Sequence, residues 1–332
     1  MRPRTVIAGV LVLATVGAAR ADVICKTRSG LLRMRPDACK RREVALPISI
    51  EDGGLTVRFT GTNVQIVSGS GATDGAENGR GNLVIGYDAA TKGQTHIGSH
   101  NLVIGDEHEY TSHGGIVAGI GNTISGPSAS VLGGRASFAS GEAATVTGGF
   151  GNEANGPRAS VTGGYSNTAS GDGSTVSGGD ANKATGGMSA VAGGGMNEAA
   201  GNLSTIAGGS GGLADGQAST VGGGESNRAS GIAASVGGGT TNQATGHGSA
   251  VSGGVGNTAG GFYTTIVGGL QNTTDGGGII DMPDVDVVFP GGAVCGGRSN
   301  TASGAYSAVG GGKSHTVSGD DDWAAGALFE TE

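Results

Sequence analysis

The chain has 332 residues, of which 73 are glycine, only 4% are aromatic and 14% are charged. Large side chains supply most of the burial energy of a globular core, so this composition argues against an ordinary globular enzyme and for a thin, repetitive core. The net charge of −8 is unevenly placed: from Asp22 to Leu46 seven Lys or Arg face three acids, whereas from Pro47 onward nine face 24, roughly +4 followed by −15. Such a basic foot on an acidic body is either plain solvated surface or a means of docking on anionic glycans or lipids.

The first segment, Met1-Arg2-Pro3-Arg4 followed by an apolar run from Val6 to Ala19 and a small-residue site at Ala19-Arg20-Ala21, reads as a secretory signal peptide. The mature chain is expected to start at Asp22, to carry no transmembrane segment, and to be secreted or displayed at the cell surface. Cys25 and Cys39 then flank a hairpin-like stretch, Lys26 to Ala38, in a compartment that permits disulfides, and a Cys25–Cys39 bridge is expected. Cys295 has no obvious mate.

Between residues 63 and 130 the pattern is irregular. Four of the six histidines, His96, His100, His108 and His113, fall here beside Asp106, Glu107 and Glu109. Zinc or nickel would suit such a set, but no HExxH or paired-cysteine spacing accompanies it, so the stretch is read as irregular capping coils with no metal or cofactor.

From Val131 the chain becomes periodic. Val131, Val146, Val161, Val176, Val191, Ile206, Val221, Val236, Val251 and Ile266 follow one another at intervals of 15. Two glycines stand at the second and third positions after each, asparagine recurs at the sixth, alanine at the eighth and glycine at the tenth, as in Gly163, Gly164, Asn167, Ala169 and Gly171. Each half of the unit has the period of two of a short strand with one face inward, and glycine suits the positive-φ corner, so each unit is one turn of a β-solenoid. The repeated asparagine is read as structural, with amides stacked along the axis and tolerant of a left-handed corner. One Val or Ile per unit is little burial against the entropy of ordering 15 residues, so several chains are expected to share a core.

The half-unit small-x-Ala/Val-x-Gly-x-x is similar to the head repeat of YadA-like trimeric autotransporter adhesins, over roughly residues 82 to 326. The 14-residue spacing of that family occurs once, from Val117 to Val131, and related half-units stand at Asn82 to Gly86 and Asn101 to Gly105. The resemblance implies an all-β fold, a left-handed parallel β-roll packed as a homotrimer, and a head for attachment to an unidentified host, matrix or cell-surface ligand. The family's coiled-coil stalk and barrel anchor have no counterpart here, and no heptad pattern occurs, so autotransport and anchoring are not implied. A monomeric ice- or polymer-binding solenoid is the alternative, although the position after each aliphatic residue carries no regular threonine array.

The expected organisation is a signal peptide over 1–21, a small basic module over 22–62, capping coils over 63–130, regular repeats over 131–326 and a tail over 327–332. Ile266 and Val294 are 28 apart, one repeat plus 13 residues, and the extra stretch over 278–290 is the most apolar of the mature chain. Its Ile279, Ile280, Val287, Val288 and Phe289 are the candidate binding residues, because insertions in solenoids map to surface loops; the alternative is a hairpin folded back over the roll. Asp281, Asp284 and Asp286 lack the spacing of a calcium loop. No nucleic-acid partner and no catalytic constellation are expected, since repeated residues on a smooth surface form no unique pocket.

Overall fold

A computed structural model describes residues 22–29, 31–36, 38–90, 93–276, 278–282, 285–289 and 291–326, with backbone alone at 53, 278–282 and 285–289. The signal-peptide segment, Pro283, Asp284, Pro290 and the tail 327–332 lie outside the described residues. The chain divides into two compact units between Gln65 and Ile66.

The first unit is an antiparallel sheet of four strands, β1 (Asp22–Thr27), β2 (Leu32–Pro36), β3 (Glu43–Glu51) and β4 (Thr56–Phe59), in the order β2-β1-β3-β4. Cys25 on β1 is buried and bonded to Cys39 in the β2–β3 connection, so the expected hairpin and bridge are both present. Sequence periodicity did not anticipate β3 and β4. Pro47 interrupts β3: both ends of β3 pair with β1, the register shifting between Val23 and Cys25, and its last part also pairs with β4. Strand alternation puts Leu32, Met34, Val44, Val57 and Phe59 on one face, all exposed within the single chain.

The second unit is a parallel β-solenoid of about 15 turns. It opens with β5 (Leu83–Ile85), β6 (Leu102–Asp106), β7 (Glu109–Tyr110), β8 (Ile116–Ile120) and β9 (Thr123–Ile124), and continues as two-residue strands. These form a first sheet of 16 strands, running through the aliphatic positions, and a second of 14, running through the alanines. The register is constant: Val146 lies beside Val161 and Val161 beside Val176, while Ala154 lies beside Ala169. A third line of bridges follows Arg135, Phe150, Tyr165 and Asp180 up one corner. The core is thin, as composition requires: a typical coil holds one Val or Ile, one Ala, one Asn and one Ser or Ala, each almost fully buried.

Two details of the corners differ from expectation. Besides the second glycine of each pair, as at Gly164 with φ 90°, the left-handed positions are largely filled by ordinary residues such as Arg158, Met188 and Leu203. Their strain is offset by a hydrogen bond back to the preceding coil: the N–H groups of Arg158, Met188 and Leu203 donate to the carbonyls of Glu142, Asp172 and Gly187 at 2.8, 2.7 and 2.9 Å. The glycine ten positions after the aliphatic residue has no left-handed backbone; at Gly171 a methyl group would overlap the carbonyl oxygen of Gly186 in the next coil. Close stacking of coils, not corner geometry, demands that glycine.

Candidate functional site

The repeated asparagines form a continuous buried ladder. Asn182 is representative: its Oδ1 accepts the N–H of Asn197 at 3.0 Å, and its Nδ2 donates to Gly178 O and Gly194 O at 3.0 and 2.9 Å. Each side chain thus closes its own turn and joins it to the next. None of the ladder asparagines has a positive φ, so the left-handed part of the sequence reading is corrected: the side chain is needed in an extended segment, because buried backbone groups need partners. Where the slot changes, the job is partly kept. Ser137 Oγ accepts from Asn152 N at 3.3 Å, whereas Gly212 has no side chain to offer Asn227.

The histidine cluster resolves in the same way. His108 is fully buried and occupies the asparagine slot of its coil, accepting from Asn122 N at Nδ1 (3.3 Å) and donating from Nε2 to Ile104 O (3.0 Å). His96 stacks on Tyr110 at 4.7 Å and hydrogen-bonds His108 O, while burial and the neighbouring Asp88 push the Tyr110 hydroxyl up to about 12. His100 Nε2 accepts from Ser68 N at 3.0 Å. His113 meets Glu77 at 3.1 Å, a hydrogen bond that lowers the Glu77 pKa. The four rings therefore take separate partners, and no group of three or more potential metal ligands occurs among the described residues.

The inserted segment is an antiparallel hairpin, Gly278–Met282 against Val285–Phe289, in which Ile279 pairs with Val288 and Ile280 with Val287. The five candidate residues are thus brought together in one ribbon. The solenoid passes it without a break, since Ile266 pairs with Val294 and Asn300 N donates to Asn272 Oδ1 at 3.0 Å across 28 residues. Nearby on the same corner, His247 stacks on Phe262 at 6.0 Å and meets the edge of Tyr263 at 5.3 Å.

The two sheets present unlike outer surfaces. On the first, the residues flanking each buried aliphatic position are uncharged from Ser130 and Leu132 to Ala308 and Gly310, and most are Ser, Thr, Ala or Gly. Cys295 is exposed in this row. The second sheet carries Glu153, Lys183, Glu198 and Arg228 in its outer row, then the column Thr258, Thr273, Thr301 and Thr316. Beside the uncharged face runs the first glycine of each pair. At Gly148, Gly163, Gly178, Gly193, Gly208 and Gly238 an added methyl group would meet nothing within 4 Å, and these backbones are not left-handed. The chain's own packing does not explain those glycines.

The sequence reading assigned no site residues in the N-terminal module beyond its cysteines. There Arg35 donates to both carboxylate oxygens of Glu43 at 3.1 and 2.7 Å. Helped by the Lys40 N–H, this holds the Glu43 carboxyl down at about 2. Fold and surface define a β-solenoid protein with a disulfide-bonded β-sheet module. No protein-family model matches the chain, and no curated protein matches it. No helix among the described residues is long and apolar enough to cross a membrane.

Proposed function

We propose that this is an exported, adhesin-like attachment protein whose solenoids wind left-handed and associate as three copies, with the hairpin 278–290 as a contact element. The observation that carries the reading is the uncharged outer face of the first sheet, bordered by glycines for which one chain provides no steric reason. A glycine with open space beside it is favoured where another backbone comes close, and a file of mostly small, uncharged side chains suits such an approach. The resemblance to trimeric adhesin heads points to the same arrangement. Attachment itself is read from the apolar hairpin, since contact energy concentrates in large apolar groups and the coils offer few.

Light scattering of the mature chain at micromolar concentration tests the assembly: three times the chain mass is expected, and one chain mass would overturn it. Replacing Gly178 and Gly193 by valine, where a single chain has room, should dissociate the trimer while leaving coil content intact. Deleting Gly278 to Pro290 restores the interval of 15 between Ile266 and Val294, so fold and assembly should persist while adhesion falls. Collapse of the fold would make the hairpin a structural cover. The monomeric ice- or polymer-binding alternative draws on the four-threonine column of the second sheet, and a monomeric mass would favour it.

A further inference from the structure

In the N-terminal sheet, Thr27 pairs with Glu43 in the β1–β3 ladder, which sets the turn after β1 alongside the turn before β3. Four cations, Arg28, Lys40, Arg41 and Arg42, thereby line one open cleft of about 850 Å³ with Thr27, Ser29 and Glu43. Among the described residues that line it Glu43 is the one acid, and it is already occupied by Arg35 and the Lys40 N–H. None of the four cationic side chains has a carboxylate partner among the described residues. Like charges gathered without counter-charges repel one another, so a fold that holds them together favours an anion between them.

The cleft is also fixed in place. Cys39, next to Lys40, is bonded to Cys25 on β1; the Glu43 N–H donates to Lys40 O at 2.8 Å; and Thr27 Oγ1 accepts from Leu31 N at 3.0 Å. Holding the two turns that carry the cations lowers the cost of ordering the backbone on binding.

From this geometry we infer that the cleft binds a sulfated polysaccharide. Three of the four cations are arginines, whose planar guanidinium forks match the oxygen geometry of sulfate groups. The hydroxyls of Thr27 and Ser29 suit sugar hydroxyls. An open cleft can run along a linear polymer, and among its described lining residues there is no aromatic ring for stacking a nucleobase. The acidic solenoid opposes indiscriminate binding of anions elsewhere on the chain.

The inference deepens the attachment reading at a separate place and does not need the trimer; a monomer that bound the polysaccharide would sink the trimer and keep this site. The experiment uses the mature disulfide-bonded chain with immobilised heparin at physiological salt. Wild type should bind, and raising the salt several-fold should weaken binding. Arg41→Glu with Arg42→Glu should reduce affinity about tenfold or more, and Arg28→Glu, on the opposite turn, should also weaken it. Arg158→Glu, on the solenoid, should leave it unchanged. Thiol counting and circular dichroism confirm that each variant keeps its disulfide and sheet. Failure of wild type to bind heparin, undiminished binding by both cleft variants, or equal binding to a DNA oligonucleotide or to phosphatidylserine vesicles would each overturn the assignment.

Discussion

In the N-terminal unit, one disulfide and two arginine–glutamate pairs, Arg35–Glu43 and Arg58–Glu51, brace four strands, and five large apolar side chains of the sheet stay exposed. In the solenoid the buried aliphatic side chains are fully covered, and few contacts are unique: most coils repeat the same buried groups and the same asparagine bonds. The contrast is between a structure with single points of failure and one in which stability is a sum over neighbours. Losing the disulfide should strike the first unit hardest, whereas losing one rung should only weaken the second.

The largest effect expected from that contrast is at the disulfide. Replacing Cys25 and Cys39 by alanine opens a loop of sequence separation 14 and should cost the first unit about 3 kcal/mol, leaving the thermal transition of the solenoid in place. Differential scanning calorimetry of both forms would show whether the transitions separate; a joint shift would mean that the units melt as one.

A smaller loss is expected inside the ladder. Asn182→Ala removes an acceptor for Asn197 N and two donors, leaves buried backbone groups unmet and should cost about 2 kcal/mol by denaturant titration. An equal loss at Ser137→Ala would contradict the assignment, because that side chain makes only long bonds, of 3.3 and 3.4 Å.

The next effect has the opposite sign. The hydroxyls of Ser174, Ser189, Ser204, Ser219 and Ser249 are buried without a hydrogen-bond partner, in a slot held elsewhere by Ala144, Ala159 and Ala234. Ser189→Ala should therefore raise stability by up to about 1 kcal/mol, and a measurable loss would reveal an unseen partner.

The smallest effect concerns pH. Because Arg35 and the Lys40 N–H lower the Glu43 carboxyl from 4.5 to about 2, its contribution is complete above pH 4.5 and disappears as pH falls toward 2. Melting of the first unit followed across that window should show this loss, and Glu43→Gln should flatten it.

Much of the solenoid was legible because its signal is repeated: an aliphatic residue every 15 positions and its flanking glycines state the strand, its inward face and its register several times over. The corners were not legible. Arg158, Met188 and Leu203 are residue types that seldom adopt positive φ, and what holds them there is a bond to the previous coil, which no local pattern announces. His108 was read only as part of an irregular histidine-rich stretch, and nothing local showed that it serves as an asparagine substitute 14 residues before Asn122. The basic cleft was half visible: Lys40, Arg41 and Arg42 are adjacent, but Arg28 joins them only through the pairing of Thr27 with Glu43.

The passage of the asparagine ladder beneath the inserted hairpin has a consequence for how such a chain can change. Asn272 and Asn300 bond across the insertion as neighbours do elsewhere, so the turn between Gly276 and Gly291 behaves as a splice point that the stack does not register. A lineage could exchange the displayed segment there without rebuilding the support, and could add or drop whole coils without touching the segment. Reach and recognition would then be separately heritable, and a chosen peptide grafted between Gly276 and Gly291 should be carried on an otherwise unaltered scaffold.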